Sequence, residues 1–531
     1  MYRLQGRYSE AESFGLRSLA LRELFFGRDH PVVASSLNNL AALYFSLGRY
    51  DDAEELYLRA LAIREKALGP DHPAVATSLN NLGGLYFVLG RFIEAEPLYL
   101  RALAILEKIF KPNHPEILAI KNNLAGLYFA KSRYLDAVQL SENVFAMRQK
   151  ISGMDPPDVA STLNNLAGVY FIRGKYRMAE RFYLRAITIR EKSYFRSDLD
   201  LAISLNNLGE LYRSQTRFSE SLLCFRRALA IREKFFGKEN INVAESLNNL
   251  SLLYKNQGKY AEAEPLCLRA LAIREKIFGP LHPDVAISLN NLASLYYAQG
   301  RYAEAEPLYL RAVSINEKVF SLIHPLTALF LTNLAELRNA QGNFLEAESL
   351  YRQALSIQEK LLGKSHPDVA ITLNNLGELL RLGGRYPEAL TVFNRALSIQ
   401  ETIRGKGIHP VLAITLNNLA LLNFDMQKLK EAHVLYRRAL TIQKKTMGMH
   451  HPYTATLLSN MAMLYVFEGR DREAEPLFKH ALAIQGSTLG MLHPKVAAVL
   501  DNLARLYRRT GRGVEADRME QSATAIRTKQ R

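Results

Sequence analysis

Apolar residues recur along this chain with the periodicity of an amphipathic α-helix. In one representative stretch, apolar side chains stand three, four and seven residues apart over 79–86, and the same spacing returns over 95–103. Such spacing aligns the apolar side chains on one face of a helix. Gly90 lies between the two runs, where the first helix is expected to end. The pattern therefore predicts two successive helices joined by a tight turn.

The predicted helix pair recurs every 42 residues, and a His-Pro dipeptide marks each repeat. The histidines are His30, His72, His114, His282, His324, His366, His409, His451 and His493. Their positions differ by multiples of 42, with one extra residue between His366 and His409. Pro156, Asp198 and Asn240 occupy the three remaining positions of the series. The chain is therefore predicted to contain twelve phased units without a linker.

The phase of the repeats divides the chain into a partial unit, a long array and a terminal unit. The boundaries are 1–29 for the partial repeat, 30–492 for eleven tandem 42-residue repeats, and 493–531 for the terminal repeat with its polar capping helix. Tyr2 aligns with Tyr44 one unit later, so the chain is expected to start inside a first helix. Two interpretations of this start remain open: a fragment of a longer chain, or a makeshift cap formed by the helix over 9–26.

The His-Pro histidines are predicted to cap helices rather than to bind metal. Proline suits the first helical position, and Asp198 and Asn240, which replace histidine in two units, are good N-cap residues. One histidine every 42 residues is not the spacing of metal ligands on one helical face. Four further prolines are predicted in the first turn of a second helix, where proline is tolerated: Pro97, Pro265, Pro307 and Pro476.

One unit carries a family resemblance. The residues Leu79, Asn81, Leu82, Gly83, Tyr86, Gly90, Phe92, Ala95, Tyr99 and Ala102 resemble the tetratricopeptide signature. The His-Pro-x-Val-Ala entry, the Leu-Asn-Asn-Leu core and the Arg-Ala-Leu-Ala-Ile-Arg-Glu-Lys exit are similar to the 42-residue variety of kinesin light chains and their bacterial relatives. The resemblance covers essentially the whole chain. It implies an all-α, right-handed α-solenoid of tandem helix-turn-helix repeats that binds peptides or proteins in a concave groove.

Two departures limit what the resemblance implies. The chain lacks the heptad coiled coil by which kinesin light chains join the motor, and it has about twice their number of repeats. Motor-adaptor function is therefore not implied.

Composition excludes several classes of protein. The chain has 531 residues, 48% of them hydrophobic and 23% charged, which excludes a disordered chain. Cys224 and Cys267 cannot form a disulfide framework, and they stand at second-helix positions where a small core residue fits. No secretory signal and no stretch of about 18 apolar residues is present, so a cytoplasmic protein without a membrane span is predicted.

No group of residues predicts catalysis. Gly363, Lys364 and Ser365 imitate the end of a phosphate-binding loop, but Gln358 stands where that loop needs glycine, and the context is a turn between helices. The chain is therefore predicted to be non-enzymatic, with no cofactor, no metal and no small-molecule substrate.

An asparagine pair lies in the middle of nearly every first helix, although asparagine is a mediocre helix former. The second member is present in all twelve units and is predicted to tie neighbouring helices together. The first member is predicted to line the concave groove, since carboxamides can grip a peptide main chain. The first members are Asn38, Asn80, Asn122, Asn164, Asn206, Asn248, Asn290, Asn374 and Asn417.

Variable positions on the same stripe are predicted to select the ligand. They include Phe45, Phe87, Phe129 and Phe171 in the first four units and Arg213, Lys255 and Arg381 in later ones. Glycine at 84, 126 and 168 suggests that a ligand approaches the backbone closely. For Glu210 with Arg213 and Glu378 with Arg381, a solvated ion pair three residues apart is at least as good an interpretation.

Three functional hypotheses follow. The leading one is a scaffold or adaptor that holds extended, partly acidic or aromatic peptide segments of partner proteins. The second is the sensor or autoinhibitory region of a larger signalling protein. The third, and weakest, is RNA binding, because the formal charge of +16 is concentrated over 173–238, with 15 Lys/Arg against 7 Asp/Glu. Aromatic residues are not interleaved with this basic cluster, which argues against RNA binding.

The repeat interpretation predicts that a whole unit is dispensable for folding. In a solenoid each unit contacts mainly its neighbours, so stability accumulates along a one-dimensional array. Deletion of residues 72–113 should leave a folded helical protein, measured by far-ultraviolet circular dichroism. Loss of the helical signal on deletion would contradict the solenoid interpretation.

Overall fold

The structure is a computed structural model that describes residues 8–152, 157–192, 198–320, 323–403 and 410–530. These ranges contain 25 α-helices and no strand. The helices are α1 (Tyr8–Phe26), α2 (Pro31–Ser46), α3 (Tyr50–Leu68), α4 (Pro73–Val88), α5 (Phe92–Ile109), α6 (Pro115–Ala130), α7 (Tyr134–Ser152), α8 (Pro157–Ile172), α9 (Tyr176–Lys192), α10 (Asp198–Ser214), α11 (Phe218–Phe236), α12 (Ile241–Asn256), α13 (Tyr260–Phe278), α14 (Pro283–Ala298), α15 (Tyr302–Phe320), α16 (Pro325–Ala340), α17 (Phe344–Leu362), α18 (Pro367–Leu382), α19 (Tyr386–Ile403), α20 (Pro410–Asp425), α21 (Leu429–Thr446), α22 (Pro452–Phe467), α23 (Asp471–Leu489), α24 (Pro494–Arg509) and α25 (Gly513–Gln530). After α1 they form twelve antiparallel pairs, numbered here units 1 to 12, each with a first and a second helix.

Histidine side chains cap the first helices. In α4, Nδ1 of His72 accepts a hydrogen bond of 3.1 Å from the N–H of Ala74, and Pro73 takes the first helical position. The same cap is made by His30, His72, His114, His282, His324, His366, His451 and His493. Asn240 replaces it in α12 and accepts from Asn242 N–H at 3.0 Å. The predicted capping role is confirmed, and His409 lies outside the described residues.

A left-handed residue ends each first helix. Gly90 has a φ of 72°, and the next amide, that of Arg91, donates to the carbonyl of Tyr86 at 2.8 Å. Nine units carry glycine at this position, and three carry Ser132, Thr216 or Gln427 with φ near 60°. Glycine adopts this conformation without the steric cost of a Cβ. The predicted stop signal is confirmed.

The four prolines within second helices lie one turn deeper than predicted. Pro97 is the sixth residue of α5, because that helix begins at Phe92, directly after the turn. A proline at this depth leaves the carbonyl of Ile93 without its helical partner. Both Pro97 and Ile93 are exposed, so water can satisfy that carbonyl.

Small residues let the two helices of a unit pack closely. Ala95 and Ala102 of α5 are fully buried, and a Cβ added to Gly83 of α4 would lie only 3.0 Å from the ring of Tyr99. The ring of Tyr99 therefore packs directly on the backbone of α4, and Phe225 packs in the same way on Gly209 and Phe393 on Gly377. The predicted core positions Leu79, Leu82 and Tyr86 are buried in the same cluster.

A buried or half-buried arginine joins most of the early second helices to the first helix that follows, although α5 carries Leu106 at this position. In α11, Arg232 donates to the carbonyl of Asn242 at 2.9 Å and to the hydroxyl of Ser246 at 2.8 Å. We call this contact the arginine clasp. It recurs with Arg22, Arg64, Arg148, Arg190 and Arg274. Later units use a shorter amide instead, as between Asn316 and Thr327 at 2.8 Å.

First helices lie on the inner side of the curved array. Neighbouring first helices touch through short side chains, such as Asn81 and Asn38 at 2.9 Å. Neighbouring second helices are bridged by long ones, such as Arg269 and Glu233 at 2.8 Å. Because helices on the inside of a curve are more closely spaced, the first helices form the concave surface, as the resemblance implied.

One turn of the superhelix brings residues about 236 positions apart into contact. Nε2 of His324 lies 3.1 Å from the carbonyl oxygen of Val88, and Nε2 of His366 lies 3.2 Å from that of Ala130. Nδ1 of each imidazole already accepts the cap hydrogen bond, so the neutral ring carries its proton on Nε2 and donates it to the carbonyl. Each ring thus joins two superhelical turns.

We call this contact the inter-turn seam, and in units 1, 2, 3, 5 and 6 it joins the turn to the cap of the unit six places later. The described pairs are Gly48 with His282, Gly90 with His324, Ala130 with His366, Ser214 with His451, and Gly258 with His493. At the first pair, a Cβ on Gly48 would lie 2.8 Å from the ring of His282. The ring of Tyr50 stacks on that of Phe320 at 5.2 Å, which extends the seam with apolar contact.

Burial in the seam makes its histidines hard to protonate. It lowers the pKa of His324 and of His451 to about 4, from an ordinary value of about 6.5. At pH above 6.5 the ring is neutral whether the seam is closed or open. Between pH 6.5 and 4 the opened or unfolded state takes up protons that the closed state excludes, so stability falls as pH falls through this window.

Replacing seam histidines with asparagine should flatten this acid dependence. Asparagine keeps the cap, as Asn240 shows, but does not titrate. We expect His324→Asn with His451→Asn to lose less thermal stability than the parent between pH 7.5 and 4, measured by circular dichroism. A tenfold difference in proton affinity between the closed and opened states corresponds to about 1.4 kcal/mol. The control, His30→Asn with His72→Asn, changes two exposed histidines that make the same cap outside the seam. An equal flattening in the control would contradict the assignment.

Candidate functional site

The inner face carries a regular stripe of three positions in each first helix. In α4 these are Asn81, Gly84 and Phe87, spaced three residues apart. We call them the inner stripe. Asn39, Asn123 and Asn165, the equivalents of Asn81, are exposed, and the other stripe positions of units 1 to 11 are half-buried. The stripe is the accessible surface of the concave side.

The burial of the two members of each asparagine pair differs from what the sequence predicted. The first member was expected on the open stripe, but in six units it is buried: Asn164, Asn206, Asn248, Asn290, Asn374 and Asn417. The second member is the more exposed of the pair, as Asn165 is beside Asn164. Neighbouring side chains on a helix point about 100° apart around its axis. The orientation of the helix therefore decides which of the two asparagines faces the concave side. Asn38, Asn80 and Asn122 remain half-buried.

The asparagines form a ladder between units. The Nδ2 of Asn123 donates to Oδ1 of Asn80 in the preceding unit at 2.8 Å, and Asn460 donates to Asn417 in the same way. The predicted tie between neighbouring helices therefore exists, and the first member is its acceptor. Buried first members also bond to the serine or threonine of the next unit, as Asn374 does to Thr415 at 2.7 Å.

The stripe is apolar and open in units 1 to 4. Phe45, Phe87, Phe129 and Phe171 are half-buried, and each ring lies 5.7 to 5.9 Å from the aromatic ring that begins its own second helix. No described atom outside the local backbone lies within 4 Å of a Cβ built at Gly126, and at Gly84 the nearest is Tyr99 Oη at 3.7 Å. These glycines leave space beside the phenylalanine rings.

In units 5 and 9 the stripe carries a glutamate and an arginine, and both arginines are already paired. Arg213 donates to Glu210 at 2.7 Å, and Arg381 donates to both oxygens of Glu378 and to Asp425. The ion pairs three residues apart that the sequence suggested are therefore formed. They bring a planar cation and a carboxylate together on the inner face.

Lys255 differs because its direct partner is neutral. Its Nζ donates to the hydroxyl of Ser294 at 2.6 Å. Burial lowers the pKa of Lys255, and nearby Arg213 lowers it further. Two units later, burial raises the pKa of Glu336, which accepts a hydrogen bond of 2.9 Å from Asn375. Among the residues that the structure describes, no carboxylate is in direct contact with the Lys255 cation.

Much of the basic cluster over 173–238 is used within the fold. Arg217 pairs with Glu180 at 2.9 Å, Arg227 pairs with Glu191 at 2.6 Å, and Arg232 forms a buried clasp. The side chains that raise the local charge therefore serve largely to join units.

Other candidate chemistry gives no site. Within the described ranges, no three His, Cys, Asp or Glu side chains are grouped so that they could hold a metal ion. Cys224 and Cys267 are buried as predicted, and burial raises the pKa of Cys224 to about 11. Among the helices described, none combines the length and apolar character needed to cross a bilayer.

Sequence reasoning missed the inter-turn seam. A signal was present, since an aromatic residue or leucine stands four residues before most of the histidines, as Phe278 and Phe320 do before His282 and His324. In the structure those rings stack at 3.8 to 4.0 Å. The superhelical pitch decides whether a histidine and the ring four residues before it contact another turn. That pitch cannot be read from the sequence of a single unit.

Comparison with protein families gives a clear result. The family model described as tetratricopeptide repeat matches residues 1–66, 32–87, 74–150, 158–234, 240–318, 326–402, 411–487 and 469–529. No curated protein matches.

Several solved structures are similar over part of the chain. Two are of a putative kinesin light chain with nearly identical TPR-like repeats from Podosopora anserina, one of them a point variant; both are 28% identical with a TM-score of 0.33. They cover 39% of this chain and 97% and 98% of their own. BtubC (BKLC) from P. vanneervenii is 22% identical with a TM-score of 0.36, over 44% of this chain and 92% of its own.

The repeated helix pair, the left-handed turn and a family match along nearly the entire chain agree. The chain belongs to the tetratricopeptide repeat family, which generally provides scaffolds for protein–protein interaction.

Proposed function

We propose that this protein is a non-catalytic scaffold that holds an extended segment of a partner protein against the inner stripe. The observation that carries the proposal is the run of units 1 to 4. There a small residue at 42, 84, 126 or 168 stands beside a half-exposed phenylalanine, and Gly126 has open space above it. A mid-helix glycine costs about 1 kcal/mol relative to alanine, so its recurrence on an inner face favours a role in contact with a ligand.

The aromatic section would bind apolar or aromatic side chains of the segment. Phenylalanine rings held by a neighbouring aromatic ring form rigid walls, and the glycines between them form the floor. Successive units repeat this arrangement, so an extended chain would meet one such recess per unit. An aromatic contact of this kind supplies much of the binding energy of an interface.

The asparagines would contribute contacts that do not depend on the ligand sequence. The exposed second members, such as Asn39, Asn123 and Asn165, face the channel and can bond to a peptide main chain. The first members proposed from the sequence support them as ladder acceptors, and the half-buried Asn38, Asn80 and Asn122 can still reach a ligand.

The charged section would favour an acidic residue in the ligand. Lys255 is held by a neutral hydroxyl, so a ligand carboxylate would restore the charged state that burial disfavours. Arg213 and Arg381 would have to give up a hydrogen bond to their own glutamate before binding a ligand carboxylate. They would therefore bind an acidic residue more weakly than Lys255. The ligand class is therefore an extended peptide with an aromatic part and an acidic part. Two buried thiols fit a cytoplasmic location, and we assign no nucleic acid, membrane or small-molecule partner.

The aromatic section is tested by removing rings and by filling the floor. Peptides selected by phage display on the parent would be measured by fluorescence anisotropy. We expect Phe87→Ala with Phe129→Ala to weaken aromatic peptides by about tenfold or more, the usual scale for an aromatic anchor. Gly126→Leu should block bulky peptides, whereas Gly126→Ala should not. Phe235→Ala, which removes an exposed ring at the end of α11, is the matched control. Unchanged affinities in both channel variants would place the binding surface elsewhere.

The asparagines are tested by comparing open and buried members. Asn39→Ala with Asn165→Ala, at two exposed members, should weaken all selected peptides by a similar factor, since each loses a sequence-independent hydrogen bond of roughly 0.5 to 1.5 kcal/mol. Asn290→Ala, at a buried ladder acceptor, should instead lower the thermal unfolding midpoint and leave peptide affinity nearly unchanged. A peptide-specific loss in the first variant would refute main-chain recognition.

A further inference from the structure

The inter-turn seam pairs two different surfaces of the same chain. One surface is the turn between the helices of a unit, and the other is the His-Pro cap with the residue four positions before it. Turns of units 1 to 6 meet caps of units 7 to 12 wherever both are described. Each molecule therefore has two further surfaces of the same kinds: the caps of units 1 to 6, here called the cap rim, and the turns of units 7 to 12, here called the turn rim.

The cap rim repeats the residues that are buried in the seam. Phe26 with His30 and Phe110 with His114 reproduce the pairs Phe278 with His282 and Phe320 with His324. Their rings are stacked in the same way, at 5.0 Å and 3.9 Å. The cap rim is therefore preformed, and Phe26 is 55% exposed.

The turn rim repeats the other side of the seam. Gly300, Gly342, Gly384 and Gly511 have the positive φ of Gly48 and Gly90. In the part of the chain that the structure describes, no atom outside the local backbone lies within 4 Å of a Cβ built at these four glycines. In the seam, the corresponding distance at Gly48 is 2.8 Å.

Apolar side chains on the turn rim are exposed where their seam equivalents are covered. Phe344 stands at the position of Tyr50 in its unit. Tyr50, stacked on Phe320, is 8% exposed, whereas Phe344 is 50% exposed. Leu382, at the position of Val88, is 55% exposed. The turn rim thus has the apolar side chains and the carbonyl groups that form one side of the seam, but no cap of the same molecule covers them in the part of the chain that the structure describes.

We propose that the turn rim of one molecule binds the cap rim of a second copy, so that copies stack head to tail. Helix α1 of the second copy takes the place of a second helix after α25 of the first, so the turns of units 8 to 12 meet the caps of units 1 to 5. The argument is continuity with the seam already present in each chain, because both unpaired halves of that interface recur on one molecule. The two rims are different surfaces, so the contact is heterologous and does not close on itself. Repeated stacking gives an open tube with the inner stripe along its length.

Charge sets the conditions for this association. The formal charge of +16 makes copies repel, and this repulsion weakens with added salt. The seam itself consists of ring stacking and histidine-to-carbonyl hydrogen bonds, which salt hardly screens. Association should therefore increase with ionic strength, which is opposite to the behaviour of a nucleic-acid complex.

The first test is the mass of the 531-residue chain in solution. Sedimentation velocity would be recorded at low and moderate salt and at protein concentrations of roughly 1 to 100 μM. Over this range the fraction of associated molecules rises if the dissociation constant is micromolar. We expect the weight-average mass to rise with concentration, and to rise further with salt. A monomer at every concentration and salt would overturn the proposal.

The second test uses a pair of variants blocked on opposite rims. Phe344→Lys with Leu382→Lys blocks the turn rim, and Phe26→Lys with Leu68→Lys blocks the cap rim. We expect each variant to be monomeric alone, and an equimolar mixture to form dimers and nothing larger, because one intact interface remains between them. Association of either variant at the parent's level, or a mixture without dimers, would overturn the head-to-tail contact.

A matched control keeps the added charge constant. Leu268→Lys with Leu310→Lys also adds two lysines, at positions of 45% and 44% exposure midway along α13 and α15. This variant should associate as the parent does, and its loss of association would overturn the assignment to the rims. Circular dichroism and the thermal midpoint show that each variant is folded before its mass is interpreted.

Discussion

Two seam histidines, His324 and His366, use both ring nitrogens, and the contact between superhelical turns depends on that double use. Nδ1 begins a helix, and Nε2–H reaches a carbonyl in the previous superhelical turn. A lysine or arginine could not accept the cap bond, and an aspartate could not donate to the carbonyl. The neutral imidazole is therefore suited to both contacts at once, and burial keeps it neutral.

Strict periodicity makes the seam possible. A turn and a cap meet six units apart, so a drift of one or two residues per unit would carry them out of register within a single turn. Buried contacts between units restrain that drift. The arginine clasp, the asparagine ladder and ion pairs such as Arg91 with Glu54 at 2.9 Å all recur at nearly constant spacing. The one extra residue of the array falls near 405–407, outside the described residues.

The same contacts divide the molecule into two kinds of surface. The second asparagine, the left-handed turn and the helix cap recur along the chain, whereas the inner stripe changes from glycine and phenylalanine in units 1 to 4 to paired charges in units 5 and 9. Positive charge in the middle of the chain is used mainly in joining units, as with Arg217 and Arg232. The side chains that vary between units therefore lie mainly on the face where a ligand would bind. The side chains that recur hold neighbouring units together.

The helices themselves, their caps and their turns were predictable from the sequence, because those are local effects. Periodicity of 3.6 placed Leu79 and Leu82 in the core, histidine and asparagine marked the helix starts, and a left-handed glycine such as Gly90 marked the stop. The prolines were misplaced by one turn, since the register of a helix start is fixed by packing as well as by its cap. The family followed from the same local pattern.

What only the tertiary structure decided is the relation between helices. Asn164 and Asn165 are neighbours of equal chemistry, and the tilt of α8 buries the first and exposes the second. Likewise, the number of units in one superhelical turn cannot be read from a single unit, because the pitch is the sum of small rotations at six successive interfaces between units. His72 and His324 share the His-Pro dipeptide and the same capping role, yet of the two only His324 contacts another superhelical turn. The sequence by itself determined the unit, and the accumulated geometry of the array determined which copies of that unit touch.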